Sequence, residues 1–310
     1  MNFRHINSKD KILAVMRHPA FGAHGKFLFP WDDKERYNDR MTMADAPALH
    51  LWHTNMNVNE MINGVNRLID DAKDGKDIAY NFYKAETRRK DPSKKNTCLF
   101  FFRGKPGAPF AVVCPGGGFY YVGSLHEGFP IAQEINRFGY NVFVLKYRVG
   151  YGARGEAIGS RDLVAAVNFI CKHAEILEVS AENYSVWGGS AGARMCSNAT
   201  YGEGGLKRGR DKLIYPAAAV MAYTYFDGTA KFQEDDSPAF LIVGTDDWIV
   251  PWQDVLKRKT ELEAAGVDVE CHILKNTQHG FGVGRGTPAQ GWIEKAVRFW
   301  EKHMTEEVFA

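Results

Sequence analysis

The chain has 310 residues, of which 45% are hydrophobic, 25% charged and 13% aromatic, with a formal net charge of +2 at pH 7. That length can bury a substantial core, and the composition excludes a disordered or collagen-like chain. Interspersed, nearly balanced charge calls for neither nucleic acid nor an anionic membrane as partner, and no apolar run approaches the ~20 residues that cross a bilayer.

Residues 1–75 read as an N-terminal extension or cap, and residues 76–310 as a catalytic domain. The extension contains "FLFPWDDKERYNDRMTMADAPALHLWHTNMN", rich in Met, His and Trp. Its N-terminus has only a short apolar run, "ILAVM", flanked by charges, which is no secretory signal as it stands. The segment "NVNEMINGVNRLIDDA" carries apolar residues at Met61, Val65, Leu68 and Ile69, a helical spacing. His50 and His53 stand at i, i+3 but have no third ligand within reach by sequence, so packing is expected of them rather than metal binding.

From Ile78 the texture becomes an alternation of strand and helix. "IAYNFYKAE" and "TCLFFFRG" read as strands joined by the polar loop "TRRKDPSKKN", and "FAVVC" reads as a strand ending in "PGGG". A helix is expected over 124–138, opened by a capping box of Ser124 and Glu127. The strand "YNVFVLKYR", a helix over "AIGSRDLVAAVNFICKHAEIL", the strand "YSVWG" and the helix "AGARMCSNATYG" follow. The basic run "GLKRGRDK" reads as a solvated loop. "AAAVMAYT" and "AFLIVGT" are strands, "WQDVLKRKTELEAAG" a helix, "VDVECHILK" a strand and "PAQGWIEKAVRFWEKHM" the last helix. Continuous apolar strands suit a sheet covered on both faces, and the alternation predicts an α/β fold with a mostly parallel sheet.

Five cysteines, Cys98, Cys114, Cys171, Cys196 and Cys271, are widely spaced with no Cys-x-x-Cys. That pattern fits reduced thiols in a cytoplasmic protein rather than a disulfide frame or a zinc site.

An open parallel sheet gathers its functional groups at the C-terminal ends of its strands. One strand ends in Gly116, Gly117 and Gly118, a run that lets backbone N–H groups approach a developing negative charge. Another ends in Asp246 and Asp247, which spacing alone does not separate as the partner of a histidine. The last strand leads to His279; His272 sits mid-strand and His303 near the end of the last helix. Between these, Gly188-Gly189-Ser190-Ala191-Gly192 matches G-x-S-x-G with a strand before it and a helix after it.

Residues 78–305 resemble an α/β hydrolase of the esterase/lipase group, which includes hormone-sensitive-lipase-like and bacterial carbohydrate acetyl esterases. "CPGGGFYYVGSLHEGFPIAQEINRFGYNVFVLKYR", "WGGSAGARM", "GTDDWIVP" and "HGFGVG" carry the resemblance. It implies a nucleophile at Ser190, an acid at Asp247 and a base at His279, with oxyanion donors on Gly117, Gly118 and Ala191. Pro115 stands where lipases of this kind carry a histidine before three glycines, so the contacts of that histidine do not transfer. The implied activity is a serine carboxylesterase acting on short acyl esters, acetyl above all, on carbohydrate or a related small alcohol. The chemistry needs no metal or organic cofactor, and the partner is a small ester; a homo-oligomer is left open. Tyr120 and Tyr121 are expected to crowd the acyl side. Trp31, Tyr37, Trp52 and His53 are expected to wall the alcohol side, and His126 is read as structural. A serine peptidase, a lipase and a non-catalytic binding protein are the competing readings.

Overall fold

The computed structural model describes residues 3–201, 215–226 and 232–305; the basic run "GLKRGRDK" lies outside them. Among the described residues eight strands form one sheet: β1 (Ala79–Tyr80), β2 (Cys98–Phe102), β3 (Pro109–Cys114), β4 (Asn141–Lys146), β5 (Ser180–Gly189), β6 (Ala218–Ala222), β7 (Ala239–Gly244) and β8 (Val269–Leu274). Their spatial order is β1-β2-β4-β3-β5-β6-β7-β8. β1 and β2 run antiparallel to their neighbours, and every pairing from β4 to β8 is parallel. Strands β2, β3, β4, β6 and β7 are buried along their whole length, which is why they read as unbroken apolar runs; β8, at the edge, is half-buried.

The helices are α1 (Ile12–Met16), α2 (Val58–Lys73), α3 (Ala85–Lys90), α4 (Phe129–Asn136), α5 (Gly152–Lys172), α6 (Ala174–Leu177), α7 (Ala191–Tyr201), α8 (Trp252–Ala264) and α9 (Trp292–Lys302). From β3 the chain crosses through α4 to β4 on one side of it, then through α5 to β5 on the other. Right-handed crossovers in opposite directions place α4 and α5 on opposite faces. α9 packs beside α4, and α7 beside α5. The N-terminal α2 lies on α4, where Gly64 lets the backbone meet the Phe129 side chain directly.

Two local expectations are corrected. "IAYNFYKAE" gives only the two-residue β1, and the expected polar loop after it begins with α3. That helix has Glu86 in its first turn and Arg88, Arg89 and Lys90 in its last, charges that complement the helix dipole, and a Glu86–Lys90 ion pair at 2.7 Å. The chain around Ser124 also differs. Ser124–Gly128 forms a single π-helical turn before α4, and no capping box exists. Ser124 Oγ is buried without a partner. The Glu127 carboxylate turns inward instead, toward the end of β3.

Candidate active site

β5 runs straight into α7 through Ser190, whose φ of 51° lies in the left-handed region. A side-chain residue held there costs roughly 1–3 kcal/mol, and surrounding bonds must impose it. They are the Ser190 N–H to the Ala222 carbonyl at 2.9 Å and the Arg194 N–H to the Ser190 carbonyl at 3.0 Å. The flanking glycines are required by crowding. A Cβ on Gly192 would overlap the Cys114 carbonyl, and one on Gly188 would overlap the first turn of α7. The tight turn therefore lifts the serine hydroxyl above the sheet, with the first amides of α7 beside it.

His279 lies beyond the end of β8, 1% exposed. Its Nε2 accepts from Ser190 Oγ at 3.0 Å, and its Nδ1 donates to Asp247 Oδ2 at 2.7 Å. The second oxygen of Asp247 accepts from the Ile249 and Val250 amides at 2.9 and 2.8 Å, so the carboxylate cannot swing away from the imidazole. Asp246, which spacing left equivalent, is exposed and accepts only from Thr245 Oγ1 at 2.9 Å. The imidazole is also walled by the Tyr223 ring at 5.1 Å and the Trp248 ring at 6.2 Å.

Gly116, Gly117 and Gly118 follow β3 and face this group. A Cβ on Gly116 would stand 3.0 Å from Ser190 Cβ, so the loop rests against the serine. The Gly116 N–H is already engaged by Glu127 Oε2 at 2.6 Å. Ala191 follows the serine directly and opens α7. Gly117 and Gly118 have φ of 134° and 60°, backbone conformations that side chains strain to reach.

The N-terminal extension enters the site through residues 50–54. Thr54 donates from its N–H to the Gly280 carbonyl at 3.0 Å and from Oγ1 to the His279 carbonyl at 2.8 Å. His126 Nε2 donates to that same Gly280 carbonyl at 2.9 Å, so two chain segments brace the loop carrying His279. Trp52 is half-buried, with its ring beside Gly118 and stacked on Tyr121 at 5.4 Å and 11°. Tyr120 is 45% exposed and reaches Trp52 on one side and the exposed Tyr151 on the other. Tyr151 in turn lines a cavity of about 310 Å³ with Asp32, Arg148 and Arg154.

Three of the residues expected at the substrate serve other purposes. Tyr121 has no exposed surface; its hydroxyl accepts from the Trp52 N–H at 3.3 Å and is shared with His53 Nδ1 at 2.8 Å. Tyr37 is buried and its hydroxyl spans the Trp31 N–H and carbonyl. His53 is buried against Glu127 at 3.2 Å. Trp31 is partly buried, packed on Tyr121 at 4.7 Å and tied by Nε1–H to the Leu49 carbonyl at 2.8 Å. Sequence reasoning missed Thr54, Tyr223, Trp248 and the inward role of Glu127. Only Trp248, next to Asp247 in "GTDDWIVP", carried a signal that could have been used.

Among the described residues no group of three or more His, Cys, Asp or Glu is arranged to hold a metal ion, and no helix is long and apolar enough to cross a membrane.

The sheet order and the serine turn at the end of β5 define an α/β hydrolase. Residues 103–213 match the BD-FAE family and residues 214–307 the prolyl oligopeptidase family, each less than half of the chain. The chain has the α/β-hydrolase fold. A curated relative, an acetylxylan esterase of Xylanibacter ruminicola, is 22% identical over 215 residues; the match covers 61% of this chain and 44% of that protein. The chain thus spans under half the length of this relative. Among solved structures, the butyrate-bound esterase of Thermogutta terrifontis has a TM-score of 0.60 at 17% identity, covering 74% of this chain and 95% of that one. An acetyl ester-xyloside bifunctional hydrolase from Caldicellulosiruptor lactoaceticus gives 0.57 at 21%, covering 66% and 88%. An α/β hydrolase from a Medee basin deep-sea metagenome library gives 0.56 at 23%, covering 67% and 92%. These likenesses establish the fold.

Proposed function

We propose that this chain is a serine carboxylesterase that removes short acyl groups, acetyl above all, from a carbohydrate or a related small alcohol. The observation that carries the reading is His279 held between Ser190 at 3.0 Å and Asp247 at 2.7 Å, with the glycine loop against the serine. Ser190 Oγ attacks the ester carbon while His279 Nε2 takes its proton. Asp247 accepts the Nδ1–H throughout, which fixes the tautomer and stabilises the imidazolium. The amides of Gly117, Gly118 and Ala191 receive the oxyanion. His279 then protonates the departing alcohol, and water repeats the sequence on the acyl-enzyme.

The acetyl and carbohydrate parts of the reading draw on the names of the acetylxylan esterase and the acetyl ester-xyloside hydrolase, and on the aromatic faces of Trp52 beside Gly118, Tyr120 against Trp52 and Trp248 against His279. Flat rings of this kind suit sugar faces. Residues 1–75 act as a wall of the alcohol side, carried by Trp52. The five free thiols fit a cytoplasmic setting.

A second reading, a serine peptidase, is favoured by the match of residues 214–307 to the prolyl oligopeptidase family. Hydrolysis of aryl esters from acetyl to octanoyl, with acetylated xylo-oligosaccharides and an oligopeptide alongside, separates the two. Turnover should fall as the acyl chain lengthens. Faster turnover of octanoyl than acetyl, or cleavage of the peptide in preference to any ester, would overturn the esterase reading.

A further inference from the structure

Glu127 is the one buried carboxylate that the proposed reaction leaves unused beside the nucleophile. It is completely buried, and its partners come from three separate segments of the chain. Oε2 accepts the Gly116 N–H at 2.6 Å, Oε1 accepts the Tyr223 hydroxyl at 2.7 Å, and His53 Nε2 stands 3.2 Å from Oε2. The carboxylate sits between two glycines: a Cβ on Gly116 would come within 2.6 Å of Oε2, and one on Gly189 within 2.8 Å. Gly116 opens the oxyanion loop and Gly189 precedes Ser190, so one carboxylate touches the backbone on both sides of the proposed reaction centre.

The local chain bears a cost for this placement. The turn around Ser124 is π-helical and leaves Ser124 Oγ buried without a partner, which forfeits that hydroxyl's hydrogen bonds to water. Burial raises the Glu127 carboxyl pKa, but His53 and the Tyr223 hydroxyl outweigh it and hold the group ionised, well below the usual carboxylate range. A charged acceptor makes the shorter and stronger hydrogen bond to an amide.

Resting on the esterase reading, we propose that Glu127 is a positioning residue for the oxyanion loop: it clamps the Gly116 amide so that the Gly117 and Gly118 amides face the acyl oxygen. His53 closes the clamp from the N-terminal extension, so the extension contributes to the loop as well as to the pocket wall. The loop packs directly on Ser190, and a misplacement of ~1 Å in such a site can cost about 10²-fold in rate.

The test is Glu127→Gln, which keeps the shape and removes the charge, with Tyr223→Phe, which removes one bond to the same carboxylate. Both are assayed on an aryl acetate after thermal melting has shown them folded. In Glu127→Gln, kcat should fall roughly 10- to 100-fold with KM within about twofold, the pattern of an interaction made in the transition state. An aryl trifluoromethyl ketone, which forms an oxyanion on addition to the serine, should bind more weakly by a similar factor. Tyr223→Phe should show the same pattern more mildly. A folded Glu127→Gln with kcat near wild type, or with the whole loss in KM and no change in ketone binding, overturns the proposal. Where Glu127→Gln does not fold, a fully active Tyr223→Phe overturns it. An inactive wild type whose Ser190 is inert to an aryl fluorophosphonate removes the esterase reading itself, and this proposal with it.

Discussion

The two adjacent aspartates show how far single residues can be read. Spacing could not separate Asp246 from Asp247; the family resemblance pointed to Asp247, and only the folded chain gives the two different surroundings. Asp247 has both oxygens engaged, one by the imidazole and one by two amides, while Asp246 faces solvent. Asp247→Asn should lower kcat by about 10⁴-fold, the scale of the matching change in a serine protease, with Asp246→Asn close to wild type. A larger loss at 246 would reverse the assignment. A second prediction concerns acid. His126 is buried, and its pKa is pushed down from 6.5 to about 4, by burial first and then by neighbouring His53. It is therefore neutral in the folded chain at pH values where the unfolded chain already binds the proton. Its contribution is whole above about 6.5 and is lost as pH falls toward 4, roughly 3 kcal/mol. His50 acts in the same direction. The urea midpoint should drop between pH 7 and pH 4.5, and His126→Gln, which keeps a donor for Gly280, should drop less. An identical drop in both would contradict this origin.

At the scale of elements, strand and helix order along 98–302 was legible because buried parallel strands read as apolar runs and the crossover helices between them are long. What failed was local. Ser124 and Glu127 have the spacing of a capping box, but a buried tertiary partner for the carboxylate outcompetes the local bond, and nothing in the flanking residues announces this. The extension could be assigned a place near the strand ends, yet not a register: that depends on Thr54 reaching the His279 loop, a contact more than two hundred residues away in sequence. Trp52 is the member of the extension beside the glycine loop, whereas Trp31 supports Tyr121 from behind. Trp52→Ala should lower kcat/KM for an acetylated oligosaccharide by about 3- to 10-fold, the worth of one aromatic contact, and for a small aryl acetate much less. Equal effects on both substrates would remove the extension from the alcohol side.

For the whole molecule, three strand ends of one mostly parallel sheet bring together groups that lie far apart in sequence: the glycine loop after β3, Ser190 after β5 and Asp247 after β7. His279 arrives beyond β8. Their joint order in the chain made the arrangement readable before folding, whereas the aromatic rim did not follow from any single motif. The central claim is that Ser190 is the nucleophile of an ester hydrolase. Ser190→Ala removes a hydroxyl at a turn, so the thermal midpoint should stay within a few degrees of wild type. The decisive measurement is the turnover of an aryl acetate by purified Ser190→Ala beside wild type. The account predicts activity in wild type and loss to the background rate in the variant. Turnover by the variant near the wild-type rate would contradict it.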